Sequence, residues 1–477
     1  MSAETVSTFL NERPVRRRQV ALLLLVLSVM VLDGLDLQLL AFAAPAILVE
    51  WSVDKASFGP ALAAAVVGMA VGTGIGGWLG DRWGRRRVTL GSMLLFGAMT
   101  LAASIAWNIP SMTLLRFISG LGFGAATPNV FTLANEIFPT RSRSRVTALM
   151  AIGTPLGGMV GGGVALAIIH RFGWEGCFIL CGTVTLLLFI VAVRWLPESP
   201  AYLLSRGQAD KAARALTRIT GETVDPASIT SSRLSTATDP AAPSSDAAQR
   251  PLAAIFTRAN LRLNLGSWMA YFCYAFVSYA FISWLPALLR SAGFTLENSI
   301  RAGVVYNLLA ILGALLAAWV LDRLGSRATL LIAAISAAAA LLVMPLLIKG
   351  GASGDTVYWL AMLTAIGVIG VSAGFAVTAC YALSVYAYPV HCRAVGMGLS
   401  AASARAGGIM VIVNGGIMLT IGKQDPSLFL MTLVVASAFL AFGTLLIDRH
   451  IAPMRRRRSA GLTMDTPVPL SPRPSDG

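Results

Sequence analysis

Charge is scarce in this sequence: Asp, Glu, Lys and Arg make up 12% of its 477 residues, where a soluble protein carries roughly 25%. A water-solvated globular chain of this size is therefore excluded. Cysteine and histidine are scarcer still, at five and three. Cys177, Cys181, Cys273, Cys380 and Cys392 lack any paired metal spacing and read as small apolar packing residues. His170, His391 and His450 form no constellation, so no metal is expected. No G-x-x-x-x-G-K-[ST] phosphate loop occurs, which argues against ATP as the energy source. Gly120-x-Gly122-x-Gly124 mimics a dinucleotide loop, but it lies inside an apolar run after no strand, where it reads as a smooth helix-packing surface. Neither a cofactor nor catalytic residues are expected, and the chain does not read as an enzyme.

What fills the chain is apolar: 56% of residues are hydrophobic and the mean hydropathy is +0.73. Crossing a bilayer takes about twenty apolar residues in a helix. Such runs lie near 18–43, 57–79, 88–107, 111–137, 146–169, 175–196, 261–289, 300–321, 328–348, 356–385, 394–421 and 427–448. The pattern predicts an all-α membrane protein with twelve spans. Arg18 followed by ALLLLVLSVM imitates a signal peptide. The run is too long for one and many more follow it, so an uncleaved first helix is expected.

The cations sort onto alternate loops. One set carries Arg13, Arg16 to Arg18, Arg82, Arg85 to Arg87, Arg141, Arg143, Arg145, Arg206, Lys211, Arg214, Arg323, Arg327, Arg393 and Arg455 to Arg458. The other offers little beyond Lys55, Arg171, Arg290, Arg301, Lys349 and Lys423. The first set is expected on the cytoplasmic side with both termini, in the cell's inner membrane. The net charge of +15 thus reports topology, and no nucleic-acid partner is needed to explain it.

The chain repeats itself. WLGDRWGRRR at 78–87 returns as WVLDRLGSR at 319–327, with Asp81 and Asp322 separated by 241 positions (322 − 81). FPTRSRSR at 138–145 returns as YPVHCRAV at 388–395, and Gly157-Gly158 as Gly407-Gly408, both at an offset of 250 (389 − 139, 407 − 157). Duplicated six-span halves are a common transporter plan, with the substrate site between the repeats. The expected organisation is a first bundle at 1–205, a cytoplasmic amphipathic helix and flexible linker at 206–257, a second bundle at 258–450 and a disordered basic tail at 451–477. Residues 206–219 read as a cationic helix at the inner surface, and 221–250 as linker.

Gly77-x-x-x-Asp81-Arg82-x-Gly84-Arg85-Arg86 resembles the signature of the major facilitator superfamily. Glu136 seven residues before Arg143, and Pro197-Glu198-Ser199-Pro200, are similar to its sugar-porter-like branches. Asp33-Gly34-Leu35-Asp36 resembles the D-G-x-D element of the aromatic acid:proton symporter family, as do Tyr388-Pro389, Arg393, Gly396 and Gly398 ahead of Arg405. The second half departs from the signature, with Ala318 for a glycine and Ser326 for a basic residue. The resemblance implies a major facilitator fold whose single chain imports a benzoate-, hydroxybenzoate- or protocatechuate-type acid with protons, by alternating access.

The residues support specific roles. A carboxylate at bilayer depth costs several kcal/mol, so one that is present is a functional-site hypothesis. Asp33 and Asp36 lie three apart, about 60° around a helix and on one face; with Arg116 within reach, they are candidates for proton coupling. Asp36→Asn is expected to abolish uphill uptake and Asp33→Asn to do similar or milder harm. Asp81, Arg85, Glu136 and Arg143 sit at helix ends and read as a charge cluster closing an inner gate, with Asp322 and Arg393 their counterparts in the second half. Arg405 lies a dozen residues into its span, where its fork suits a carboxylate. Tyr271, Tyr274 or Tyr279, with Asn307 or Asn414 opposite, suit a flat substrate. The partners expected are a small organic anion, protons and lipid. Open alternatives are a symporter of a sugar, polyol or aliphatic acid, a receptor that has lost transport, and a drug antiporter. For the last, Gly153-Thr154-Pro155-Leu156-Gly157-Gly158 approaches G-P-x-x-G-G, but Thr154 breaks the Gly-Pro contact.

Overall fold

The computed structural model describes residues 4–230, 255–351, 356–389, 392–421 and 426–453. Most of the predicted linker at 221–250, and the predicted tail from 454 onward, lie outside these residues. A short strand β1 (Glu4–Thr5) leads into α1 (Val6–Asn11). Long helices follow: α2 (Arg17–Glu50), α3 (Lys55–Trp83), α4 (Arg85–Ala103), α5 (Ile109–Ile137) and α6 (Thr140–Trp195). After the short α7 (Pro200–Ser205), α8 (Ala209–Thr220) and strand β2 (Ile229–Thr230) come α9 (Leu261–Ser291), α10 (Leu296–Gly351), α11 (Thr356–Ala387), α12 (Arg393–Ile421) and α13 (Ser427–Leu446).

Nine of these helices are, among the described residues, long and apolar enough to cross a membrane. Two of the nine, α6 and α10, run 56 residues each and are broken by a non-helical glycine, Gly173 in one and Gly325 in the other. Each therefore carries two of the predicted apolar runs. Helix α4, which opens on three arginines, is not among the nine but covers most of the run at 88–107.

The repeat is visible in the backbone. Gly84, between α3 and α4, has φ 101°, and Gly325 has φ 79°; L side chains rarely adopt this region. They stand 241 apart (325 − 84), the offset of Asp81 and Asp322. Arg143 Nε donates to the Phe138 carbonyl at 3.4 Å, and Arg393 Nε to that of Tyr388 at 3.3 Å, each pair 250 from its twin (393 − 143, 388 − 138). Divergence is equally specific. Ser326 occupies the second-half position of Arg85, and its hydroxyl accepts from the Ile451 N–H at 2.9 Å and lies 3.1 Å from His450 Nδ1. Burial pushes the His450 imidazole below its ordinary value, so it is uncharged at neutral pH.

Small residues let the helices touch. A methyl group on Gly68, Gly72 or Gly76 of α3 would overlap the α5 backbone; Gly120 and Gly124 of α5 answer against α3, while Gly122 faces α4. The predicted packing role of the glycine run is thus observed.

Three cores result. One joins both halves, with Leu39, Phe42 and Phe58 packed among Phe276, Trp284, Ile300 and Val411, around the end of the bundle marked by the α2–α3 turn. The other two stay within one half each. Val26, Met93, Phe123 and Met150 belong to the first, and Leu263, Leu330, Cys380 and Leu440 to the second. These two flank the opposite end, marked by the Gly84 turn. The halves are sealed together at one end and separately packed at the other.

A fourth core forms around α8, within the segment 206–219 read from the sequence as a cationic helix. The apolar face of α8, formed by Ala212, Ala213, Ala215 and Leu216, packs on Phe9, Leu10, Leu203 and Ile229. Other segments of the protein cover that face. β1 pairs in parallel with β2, Arg13 and Arg16 both pair with Glu222, and Asn11 Oδ1 accepts from Thr140 N–H at 2.8 Å. The amino-terminal arm thereby straps the start of the linker to the first half. Phe9→Asp places a charge in this small core, and faster trypsin cleavage of the arm and linker, with the long helices still protected, is the expected outcome of limited proteolysis.

Candidate functional site

Asp33 and Asp36 are both about 5% exposed on α2 but have different surroundings. Asp36 is fully engaged. Its Oδ1 accepts from Arg116 Nη1 at 2.7 Å and from the Thr100 hydroxyl at 3.0 Å, while Arg116 Nη2 donates to the Asp36 carbonyl at 2.9 Å. Arg116 is 1% exposed and lies 5.8 Å from the Phe178 ring; its Nε has no hydrogen-bond partner among the described residues. α2, α4 and α5 are pinned together there. Asp33 has one hydrogen-bond partner among the described residues, the Thr154 hydroxyl of α6 at 3.2 Å.

Asp33 also lies within electrostatic range of the other half of the molecule. Arg405 of α12 and Arg116 both act on its charge, and Asp33 and Arg405 both act on Tyr279 of α9. Arg405 is also within electrostatic range of Tyr381 of α11 and donates to the Thr73 hydroxyl of α3 at 3.2 Å. Gly408, one turn beyond Arg405, leaves room for the Tyr279 ring, which a methyl group there would approach to 2.8 Å. Tyr271 is buried, accepts from the Ser384 hydroxyl at 3.2 Å and meets Tyr274 and Tyr381 edge-on at 5.6 Å. Tyr381 itself is 46% exposed. A carboxylate of the first half and a guanidinium and phenol rings of the second therefore share one region.

The two asparagines are placed elsewhere. Asn307 and Gln38, each 2% exposed, form a reciprocal amide pair across the halves at 3.0 and 2.8 Å, and Asn307 donates a further bond to the Gly303 carbonyl. They latch the sealed end. Asn414 donates back to Met410 of its own helix at 2.9 Å.

At the separately packed end, Arg85 pairs with Glu136 and, at 3.6 Å, with Asp81, whose carboxylate is 80% exposed. Ser199 hydrogen-bonds Glu136, and Glu198 accepts from the Arg86 N–H at 2.9 Å. Arg143 is not in this cluster; it closes its own corner on Phe138. Asp322 makes no ion pair among the described residues, and Arg393 repeats the Arg143 corner. No ion pair among the described residues crosses between the halves at this end.

Sequence reasoning missed Gln38, Thr73, Thr100, Thr154 and Tyr381. Gln38 was detectable by the logic applied to Asp36, as an amide inside a span. The threonines gave no signal, since most helical threonines bond only their own backbone.

Comparisons with known proteins identify the family. The model of the Major Facilitator Superfamily matches residues 26–412 and 302–472, and the chain belongs to that superfamily of membrane transporters; it is not an enzyme. It is 32% identical over 445 residues to the 4-hydroxybenzoate transporter PcaK of Pseudomonas putida, covering 92% of this chain and 95% of that one. It is 30% identical over 451 residues to a gallate transporter of Pseudomonas putida, covering 93% and 95%. The fold is similar to the inward-open xylose transporter XylE of E. coli, with a TM-score of 0.69 at 16% identity over 93% of this chain and 99% of that one.

Two expectations follow from the ends of the bundle. Asn307→Leu strands the Gln38 amide, a loss of about 1–3 kcal/mol to the sealed arrangement. A cysteine at Val413, on the α3–α12 seam, should then label at least fivefold faster, against the low background of five buried native cysteines. Glu136→Gln should slow turnover at least tenfold with substrate affinity unchanged, measured by uptake and equilibrium binding.

Proposed function

We propose that this chain is a proton symporter importing a small aromatic carboxylate of the hydroxybenzoate class by alternating access. The observation that carries the reading is the placement of Asp33 and Arg405 on opposite halves of one region, with Tyr279 and Tyr381 beside them. An arginine fork takes a carboxylate by two parallel hydrogen bonds, and tyrosines offer ring faces for an aromatic body with hydroxyls for a phenolic substituent. The relatives named for 4-hydroxybenzoate and gallate carry substrates of that chemistry.

The division of labour between the aspartates follows from their partners. Asp36 is held by Arg116 and Thr100, and removing one member of a buried ion pair leaves an uncompensated charge; it serves as a fixed strut. Asp33, with one hydroxyl partner and the region between the halves before it, is the carboxylate that gains and loses the proton. An inside-negative membrane opposes entry of an anion by ~2.3 kcal/mol per charge per 100 mV, so one accompanying proton makes the step electroneutral.

In this reading the chain makes twelve spans in the inner membrane with both termini in the cytoplasm. The sealed end is periplasmic and the Arg85 end cytoplasmic, so the molecule is open inward. The Arg85–Glu136–Asp81 cluster meets the second half only when the inner end closes. In proteoliposomes with an imposed pH gradient, uptake of labelled 4-hydroxybenzoate should be competed by aromatic acids but not by their amides. Asp33→Asn should lose accumulation yet retain exchange, and Arg405→Lys should raise KM tenfold or more. Equal competition by the amide would remove the carboxylate–arginine contact as the basis of selection.

A further inference from the structure

The hydroxyls of helical threonines in this protein have a usual fate. Thr73, Thr113, Thr127, Thr132, Thr185 and Thr444 each donate to the carbonyl four residues back, at 2.7 to 3.2 Å. Thr154 does not: its hydroxyl is on Asp33 Oδ2. Thr100 does not either, and its hydroxyl is on Asp36. The two threonines diverted to a carboxylate in mid-span serve the two aspartates of α2, one each.

Thr154 is held in place by backbone contact. A methyl group on Gly34 would overlap the Thr154 carbonyl oxygen, one on Gly157 the Val31 carbonyl oxygen, and one on Gly153 would come 2.6 Å from Met30 Cβ. α2 and α6 thus touch main chain to main chain at this level, which brings the threonine hydroxyl to the adjacent carboxylate. The position where Thr154 interrupts a Gly-Pro pair is the position that faces Asp33.

We propose that Thr154 is the positioning residue for proton exchange at Asp33, setting by its hydrogen bond the pH at which that carboxylate takes up and releases its proton. The proposal rests on the reading of Asp33 as the exchanging group. A hydroxyl donating to a carboxylate favours the charged form, and as the only hydrogen bond Asp33 makes among the described residues it has no local substitute. The charged and titratable groups facing Asp33 are Asp36 on its own helix, Arg116 of α5, Arg405 of α12 and Tyr279 of α9. None of them is altered by a substitution on α6. When Asp33 is protonated the hydroxyl can accept instead of donate, so the contact persists through both states.

The test uses the full chain in proteoliposomes and labelled 4-hydroxybenzoate as the probe. Thr154→Val keeps the shape and removes the donor. The pH midpoint of gradient-driven uptake should move upward by about one unit, a tenfold change in proton affinity worth about 1.4 kcal/mol. KM in exchange at fixed pH should stay within twofold. Thr154→Ser, which keeps a hydroxyl, should return the midpoint to the wild-type value. Should Thr154→Val fail to reach the membrane, Thr154→Ala carries the same expectation. An unmoved midpoint in an exchange-competent Thr154→Val protein, alongside loss of accumulation in Asp33→Asn, overturns the role of Thr154 and leaves Asp33 as the proton site. Wild-type accumulation by Asp33→Asn overturns both.

Discussion

A charge inside a bilayer has no water to turn to, and every feature of the central region answers that constraint. The Asp36–Arg116 pair answers it by mutual satisfaction, with two hydrogen bonds between the residues and a third from Thr100. Such a pair contributes little net stability, because desolvation offsets the attraction. What it contributes is rigidity, since neither partner can leave without stranding the other. That rigidity keeps α2 in register with α4 and α5, and so holds Asp33 at a fixed depth. Asp33, by contrast, has one hydroxyl partner among the described residues.

The sealed end and the separately packed end follow from the same physics applied to apolar surface. Helices packed on their own half bury that surface whatever the other half does. The shared core near the α2–α3 turn is buried only while the halves stay together there. The Gln38–Asn307 amide pair adds direction to this contact, because two buried amides pair well in one arrangement only. With one shared core and two private ones, each half keeps its own packing independently of the other.

Much of this was legible in the sequence. The long apolar runs, the paired aspartates, the 241- and 250-residue offsets and the glycine run all reappear as helices, a buried acidic face, twinned turns and backbone contacts. The reason is that bilayer burial and close packing act on residue types and spacings, which a sequence displays. What was not legible depends on the angle between helices. Gln38 and Asn307 lie on helices of different halves, and nothing in either run indicates that they meet. Asn307 looked free to bind a ligand for that reason. Arg143 was grouped with Glu136 by spacing, yet the turn at Pro139 directs it to the Phe138 carbonyl. The partner of the apolar face of α8, the arm at Phe9 and Leu10, is some two hundred residues away in the chain and gives no sign of itself at 206–219.

That arm also sets an order of events in biosynthesis. β1 at residues 4 and 5 is the first described piece of the chain to leave the ribosome, yet its partner strand is at 229 and 230. At about 5–20 residues per second, the two are made roughly 10 to 45 seconds apart. All helices of the first half are synthesised in that interval, and the strap closes only after the last of them. The parallel pairing of four residues therefore requires that every helix of the first half has already been made.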